Sequence, residues 1–81
     1  MNQEVLLLKG QLAEYRRKVK DLDLEASGLV IAIRTQISPY EDDITKLRIP
    51  EAMASMRRLL AIYQEMTALK KRIAEMEEAL G

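Results

Sequence analysis

Residues 5–33 read VLLLKGQLAEYRRKVKDLDLEASGLVIAI, and apolar side chains recur along this stretch at alternating spacings of three and four. The recurring positions are Val5, Leu8, Leu12, Tyr15, Val19, Leu22, Ala26, Leu29 and Ile33. Such spacing is typical of the a and d positions of a coiled coil, held here for about four heptads. It predicts one long helix, helix 1, whose apolar stripe must pack against a second stripe.

A matching stripe lies in the C-terminal half of the chain. Its members are Ala52, Ser55, Leu59, Ile62, Met66, Leu69, Ile73, Met76 and Leu80. Pro50 precedes this stripe and suits the first position of a helix, where the missing N–H costs nothing. The predicted elements are therefore helix 1 (about 2–37), a tip (38–49) and helix 2 (about 50–80).

The tip is bounded by prolines and contains apolar residues of its own. Helix 1 should stop at Ser38, because the residue before a proline is disfavoured in the α conformation. Tyr40, Ile44 and Leu47 follow at spacings of four and three. A structureless connection of this length would be unusual in so small a protein. We therefore expect a short helical turn in the tip, with one apolar side.

An antiparallel pairing of the two stripes aligns the a residues of each helix with the d residues of the other. When paired residue numbers add up to 88, eight layers form, from Leu8 opposite Leu80 to Ile33 opposite Ser55, and only the last is not fully apolar. The midpoint of this register is residue 44, the centre of the tip. The sequence thus predicts a single all-α domain of residues 1–81, an antiparallel two-helix coiled-coil hairpin about 50 Å long.

A further set of apolar residues lies outside both stripes, near the tip. We call this set the apolar patch, and its members are Val30, Ile37, Met53, Met56, Leu60 and Tyr63. One interpretation is that Ile44, Leu47 and Ile49 fold back and cover the patch. The other is that a second subunit covers it, as in a four-helix bundle, since a lone hairpin of this size is marginally stable. The expected partner is thus another copy, in a homodimer or higher homo-oligomer, or another helical protein.

Composition argues against catalysis. The chain has no His and no Cys, so the commonest general base, metal ligand and reactive thiolate are all missing. Glu41, Asp42 and Asp43 are consecutive, and consecutive carboxylates usually point apart rather than converge on a cation. We therefore expect a protein that is not an enzyme and that needs no cofactor or metal.

Hydropathy predicts no membrane partner. The longest apolar runs, residues 5–8 and 29–33, are far shorter than the ~20 residues that span a bilayer. The N-terminus does not show the basic region and apolar core of a signal peptide. We expect a cytoplasmic protein.

Seven basic residues should lie at one height on the hairpin. We call them the basic band, and they are Arg16, Arg17, Lys18, Lys20, Lys70, Lys71 and Arg72. They could contact the phosphates of a nucleic acid. However, the thirteen basic and thirteen acidic residues of the chain cancel, carboxylates flank the band, and no groove-reading motif is present. A solvated face, or a surface for an acidic protein, is the favoured interpretation, and little affinity for nucleic acid is expected.

The tip and its flanking helices resemble a known group of proteins. Ile37-Ser38-Pro39-Tyr40-Glu41, with Ile44 and Leu47 between two coiled-coil helices, resembles small uncharacterised helical proteins of Mu-like phages and prophages. This resemblance implies a phage accessory or assembly factor and assigns no catalytic or binding residue. Type III secretion needle subunits are hairpins of similar size, but their loop motif is not matched here.

The function expected from the sequence is protein–protein interaction, by a self-associating helical scaffold or accessory protein. The alternative is a small nucleic-acid-associated helical protein that uses the basic band around Arg17 and Lys71.

Overall fold

The computed structural model describes residues 2–81, with side chains from Gln3 onward. Helix α1 runs over Asn2–Gln36, a short 3-10 turn over Ile44–Lys46, and helix α2 over Ile49–Leu80. No strand occurs within these residues. The two helices pack against each other along a rod that measures 64 Å by 16 Å by 15 Å between Cα atoms. The prediction of an all-α helical hairpin is confirmed.

The buried side chains lie on the predicted seam between the helices. They are Leu12, Leu22, Ala52, Ile62 and Met76. Every predicted a and d residue from Leu8 to Ile33, and from Ala52 to Leu80, is buried or half-buried. Val5 is exposed, because α2 ends at Leu80 and places no residue opposite it. The heptad pattern therefore identified the core of the hairpin.

Ion pairs between the helices agree with the predicted register. They are Arg16–Glu77 at 3.0 Å, Lys18–Glu65 at 3.2 Å and Glu25–Arg58 at 2.6 Å. Their residue numbers add up to 93, 83 and 83, which bracket the predicted 88. A shift of one heptad to a sum of 81 would separate Arg16 from Glu77 by about 18 Å along the axis, at 1.5 Å per residue. The charged side chains thus support the same alignment as the apolar layers.

The tip is closed by a hydrogen bond between the ends of the helices. The backbone N–H of Arg48 donates to the carbonyl of Gln36 at 2.9 Å, and so satisfies one of the carbonyls left unpaired at the end of α1. Helix α1 ends one residue before the predicted Ile37, and α2 begins one residue before the predicted Pro50.

The expected helical turn in the tip is present as the 3-10 turn, which Asp43 caps. The Thr45 hydroxyl and backbone N–H both donate to Asp43 Oδ1, at 2.6 and 2.9 Å, and these bonds hold the pKa of Asp43 below its ordinary value. The expected apolar side does not pack, however. Tyr40 is 92% exposed and Ile44 is 70% exposed, and only Leu47 is half-buried.

The Glu25–Arg58 pair gives a pH-dependent test of the packing of the two helices. Arg58 donates two hydrogen bonds to the carboxylate, at 2.6 and 2.8 Å, and they hold the pKa of Glu25 below its ordinary value. The contribution of the pair to stability is therefore present above the ordinary pKa of a glutamate and is lost as pH falls through the lowered pKa. In Arg58→Gln we expect the Glu25 pKa to return to its ordinary value in an NMR carboxyl titration.

The neighbouring Arg57 provides the control for this titration. It is exposed and lies on the outer face of α2, so Arg57→Gln should leave the pKa of Glu25 where it is in the wild type. If Arg58→Gln left that pKa unchanged as well, the two helices would not be aligned as described.

Candidate interaction surface

The two sides of the seam differ in chemistry. In this antiparallel pair the e and b positions share one side, and the g positions share the other. The g side is bridged by ion pairs, including Lys18–Glu65 and Glu25–Arg58. On the e side, the half of the hairpin nearest the tip carries the apolar patch. One side of the tip half is therefore charged, and the other is apolar and open.

The apolar patch is exposed to solvent. Its four members on α2 keep between 50% and 66% of their surface exposed, Ile37 is exposed and Val30 is half-buried. The four residues follow one another at spacings of three and four, so they form a continuous ridge beside the seam. Large exposed apolar areas on a small protein mark an interaction surface more often than a solvated one.

The tip does not cover this patch. The interpretation in which Ile44, Leu47 and Ile49 fold back and cover it is wrong, because the patch residues on α2 remain at least half exposed and Ile44 is 70% exposed. Leu47 is half-buried, and Ile49 lines the groove beside the patch. The tip thus extends the apolar surface along the e side and does not close it.

The patch borders an open groove of about 360 Å³. Its lining residues are Ile37, Ile49, Ala52, Met53, Met56, Arg57 and Leu60. Arg57 is the one charged residue in this lining. Met53 and Met56 have flexible, polarisable side chains that adapt to the shape of a partner. The groove is suited to accept apolar side chains from another helix.

The sequence pattern does not assign two of the groove residues to this surface. Ile49 falls within the predicted tip, and Arg57 belongs neither to the seam nor to the apolar patch. Continuing the heptads of α2 backwards from Ala52 places Ile49 at an e position, on the side of Met56, and that signal could have identified it. For Arg57, at an outward f position, the heptad pattern gives no such signal.

The basic band is interrupted by carboxylates. Arg16 pairs with Glu77, Lys18 with Glu65, and Arg72 with Glu75 at 3.8 Å. The even ring of positive charge expected from the sequence is therefore partly neutralised.

Part of the band is gathered on the e side. We call this feature the basic depression, an open concavity of about 590 Å³. Its lining residues are Arg16, Arg17, Val19, Lys20, Asp23, Met66 and Lys70. Basic residues from both helices line it, whereas Lys18, Lys71 and Arg72 of the basic band do not. The depression and the apolar patch follow one another along the same side of the hairpin.

We expect weak or no binding of duplex DNA at ~150 mM salt. The net charge is zero, and several charges of the band already have carboxylate partners, so few counterions would be released on binding. Fluorescence anisotropy with a labelled duplex measures this directly. Submicromolar binding at that salt, abolished in the double variant Arg17→Glu, Lys71→Glu, would contradict the prediction.

Other kinds of site have little support within residues 2–81. No group of three or more acidic side chains is arranged to hold a metal ion there. Neither of the helices in this range has an apolar stretch long enough to cross a bilayer. The groove and the basic depression are thus the candidate interaction sites on this surface.

Comparison of the chain with protein families, with curated proteins and with solved structures finds no match.

Proposed function

We propose that this chain is a self-associating protein–protein interaction module and that the apolar patch is the contact surface between its copies. The observation that carries this proposal is the exposure of the patch on the e side, which the tip leaves open. In the tip half, this side of the seam has no interhelical ion pair among the described residues, whereas the Glu25–Arg58 pair bridges the opposite side. An apolar surface of this extent is stable in water when a partner covers it.

A second copy of the chain is the partner that fits best. A twofold axis through the patch would bury the same residues on both subunits at once, so one surface supplies both halves of the interface. The hairpin alone has five buried side chains among its described residues, which is a small core for 81 residues. Association of two hairpins into a four-helix bundle would supply the missing burial.

The role of such a module is binding, as a scaffold or accessory protein, and not catalysis. The resemblance of the tip and its flanking helices to proteins of Mu-like phages extends the proposal to an assembly or accessory role in a phage or prophage. Nucleic-acid association is the second candidate, and the gathering of Arg16, Arg17, Lys20 and Lys70 in one depression favours it. The DNA titration described above separates the two.

The dependence of thermal stability on concentration tests self-association. If folding and dimerisation are coupled, Tm rises with protein concentration, because mass action favours the dimer. We expect a clear rise in Tm by circular dichroism between ~5 μM and ~500 μM chain. Leu24→Glu, on the outer face of α1, should retain this dependence. A Tm that is independent of concentration would show that the folded species is a monomer.

A further inference from the structure

The tip and the basic depression lie on opposite sides of the patch centre. Along α2, Met56 at the centre of the patch is seven residues from Ile49, where the helix begins, or about 11 Å along the axis. Lys70 in the depression is fourteen residues beyond Met56, or about 21 Å. The rod is 64 Å long and the 35 residues of α1 account for about 51 Å of it, so the tip extends about 13 Å beyond the helices. The tip therefore lies about 11 to 24 Å from the patch centre on one side, and the depression lies at a similar distance on the other.

This relation has a consequence for a twofold dimer. A twofold axis that crosses the patch centre at right angles to the hairpin reverses the direction of the second subunit. It carries the tip of one subunit to a region about 11 to 24 Å beyond the patch centre of the other. The basic depression lies in this region.

The tip has the charge that the depression requires. Glu41, Asp42 and Asp43 are all exposed there. We propose, on the basis of the function proposed above, that the dimer is antiparallel and that the acidic tip of each subunit docks into the basic depression of the other. The depression is thus completed by a second copy of this chain, and each dimer contains two such contacts.

The distribution of charge along the hairpin favours the antiparallel arrangement, because this arrangement brings the acidic tip to the basic depression. A parallel dimer would instead place acidic tip beside acidic tip and basic depression beside basic depression, which is unfavourable.

The overlap is large enough for a stable dimer. The two hairpins would lie side by side from one depression to the other, over about 42 Å, and a pair of helices presents a face roughly 20 Å wide. This footprint of about 800 Å² per subunit is similar to the ~800 Å² per partner of an ordinary stable interface. Such a dimer buries both patches and both tips, so the assembly closes at two chains and does not continue into a filament.

Charge reversal with mixing tests the docking of tip and depression. The tip variant is Glu41→Lys, Asp42→Lys, and the depression variant is Lys20→Glu, Lys70→Glu. Each alone places like charges together, and we expect the dimer Kd to rise at least tenfold. An equimolar mixture should form heterodimers with affinity close to that of the wild type, because both contacts then join opposite charges. Native mass spectrometry separates the three possible dimers by mass.

A matched variant removes the effect of net charge. Glu14→Lys, Asp21→Lys makes the same chemical changes as the tip variant, but at exposed c positions on the opposite side of α1. Alone it should dimerise about as well as the wild type. Mixed with the depression variant it should not restore heterodimers to the level that the tip variant reaches, although the net charges are identical.

Carbodiimide cross-linking gives an independent readout on the wild-type protein. A zero-length bond between Asp42 and Lys20 or Lys70 can form only between subunits, since Asp42 lies in the tip, and the helix ends that adjoin the tip are already about 24 Å from Lys20 and about 32 Å from Lys70. We expect this cross-link in the wild type. A wild-type dimer with neither the cross-link nor rescue on mixing would overturn the antiparallel docking and leave self-association standing. A monomeric wild type would overturn both.

Discussion

Ile62→Asp is expected to unfold the hairpin at neutral pH. Ile62 lies in the middle of the seam and is 1% exposed. A carboxylate at that position would be removed from water with no basic partner on the seam, where the register places Ala26 opposite. Burial of an unpaired charge costs several kcal/mol, which is comparable to the whole stability of a domain of this size.

Circular dichroism at 222 nm with urea titration measures this effect. The matched control is Ile31→Asp, the same change on the exposed outer face of α1, which should leave helicity and the unfolding midpoint nearly unchanged. Ile62→Val should cost only about 0.5–1.5 kcal/mol, because it removes one methylene from the core. If Ile62→Asp unfolded at the wild-type urea midpoint, the seam would not be the core of this protein.

Leu60→Glu is expected to convert the proposed dimer into monomers and to lower its thermal stability. Leu60 is exposed in the hairpin and lines the groove at the centre of the patch region. Twofold symmetry would introduce two carboxylates into one interface, so repulsion and desolvation would both oppose association. Because the lone hairpin is marginal, the loss of the dimer should also lower Tm at ~100 μM chain.

Leu24→Glu makes the same substitution at an exposed position away from the patch, and it should change neither mass nor Tm appreciably. Sedimentation velocity on the two variants at equal concentration provides the comparison. If Leu60→Glu remained associated as strongly as Leu24→Glu, the copies would meet elsewhere on the surface.

The helices and their register could be predicted because two independent constraints coincide. The heptad spacing defines a stripe on each helix, and the antiparallel connection at residue 44 leaves one alignment that pairs nearly every apolar layer. The ends of the helices were less predictable, by one residue each. At these ends the backbone N–H of Arg48 donates to Gln36, and this bond joins residues that only the folded chain brings together.

The surface features were harder to predict from spacing. Tyr40, Ile44 and Leu47 recur at helical intervals, but the tip forms only a short 3-10 turn. Tyr40 and Ile44 do not pack against either helix and remain exposed. The basic band was expected as a ring of like charge. Long side chains extend along the helix axis, however, so Arg16 pairs with Glu77, five positions beyond Arg72, the residue that the register places opposite it.

The solution mass of the wild-type chain shows whether two copies associate. Multi-angle light scattering at ~100 μM, with circular dichroism on the same sample, should give a helical species of twice the 9.3 kDa chain mass. A folded monomer of 9.3 kDa at that concentration would contradict self-association through the apolar patch, because the patch would then be stable in water without a second copy.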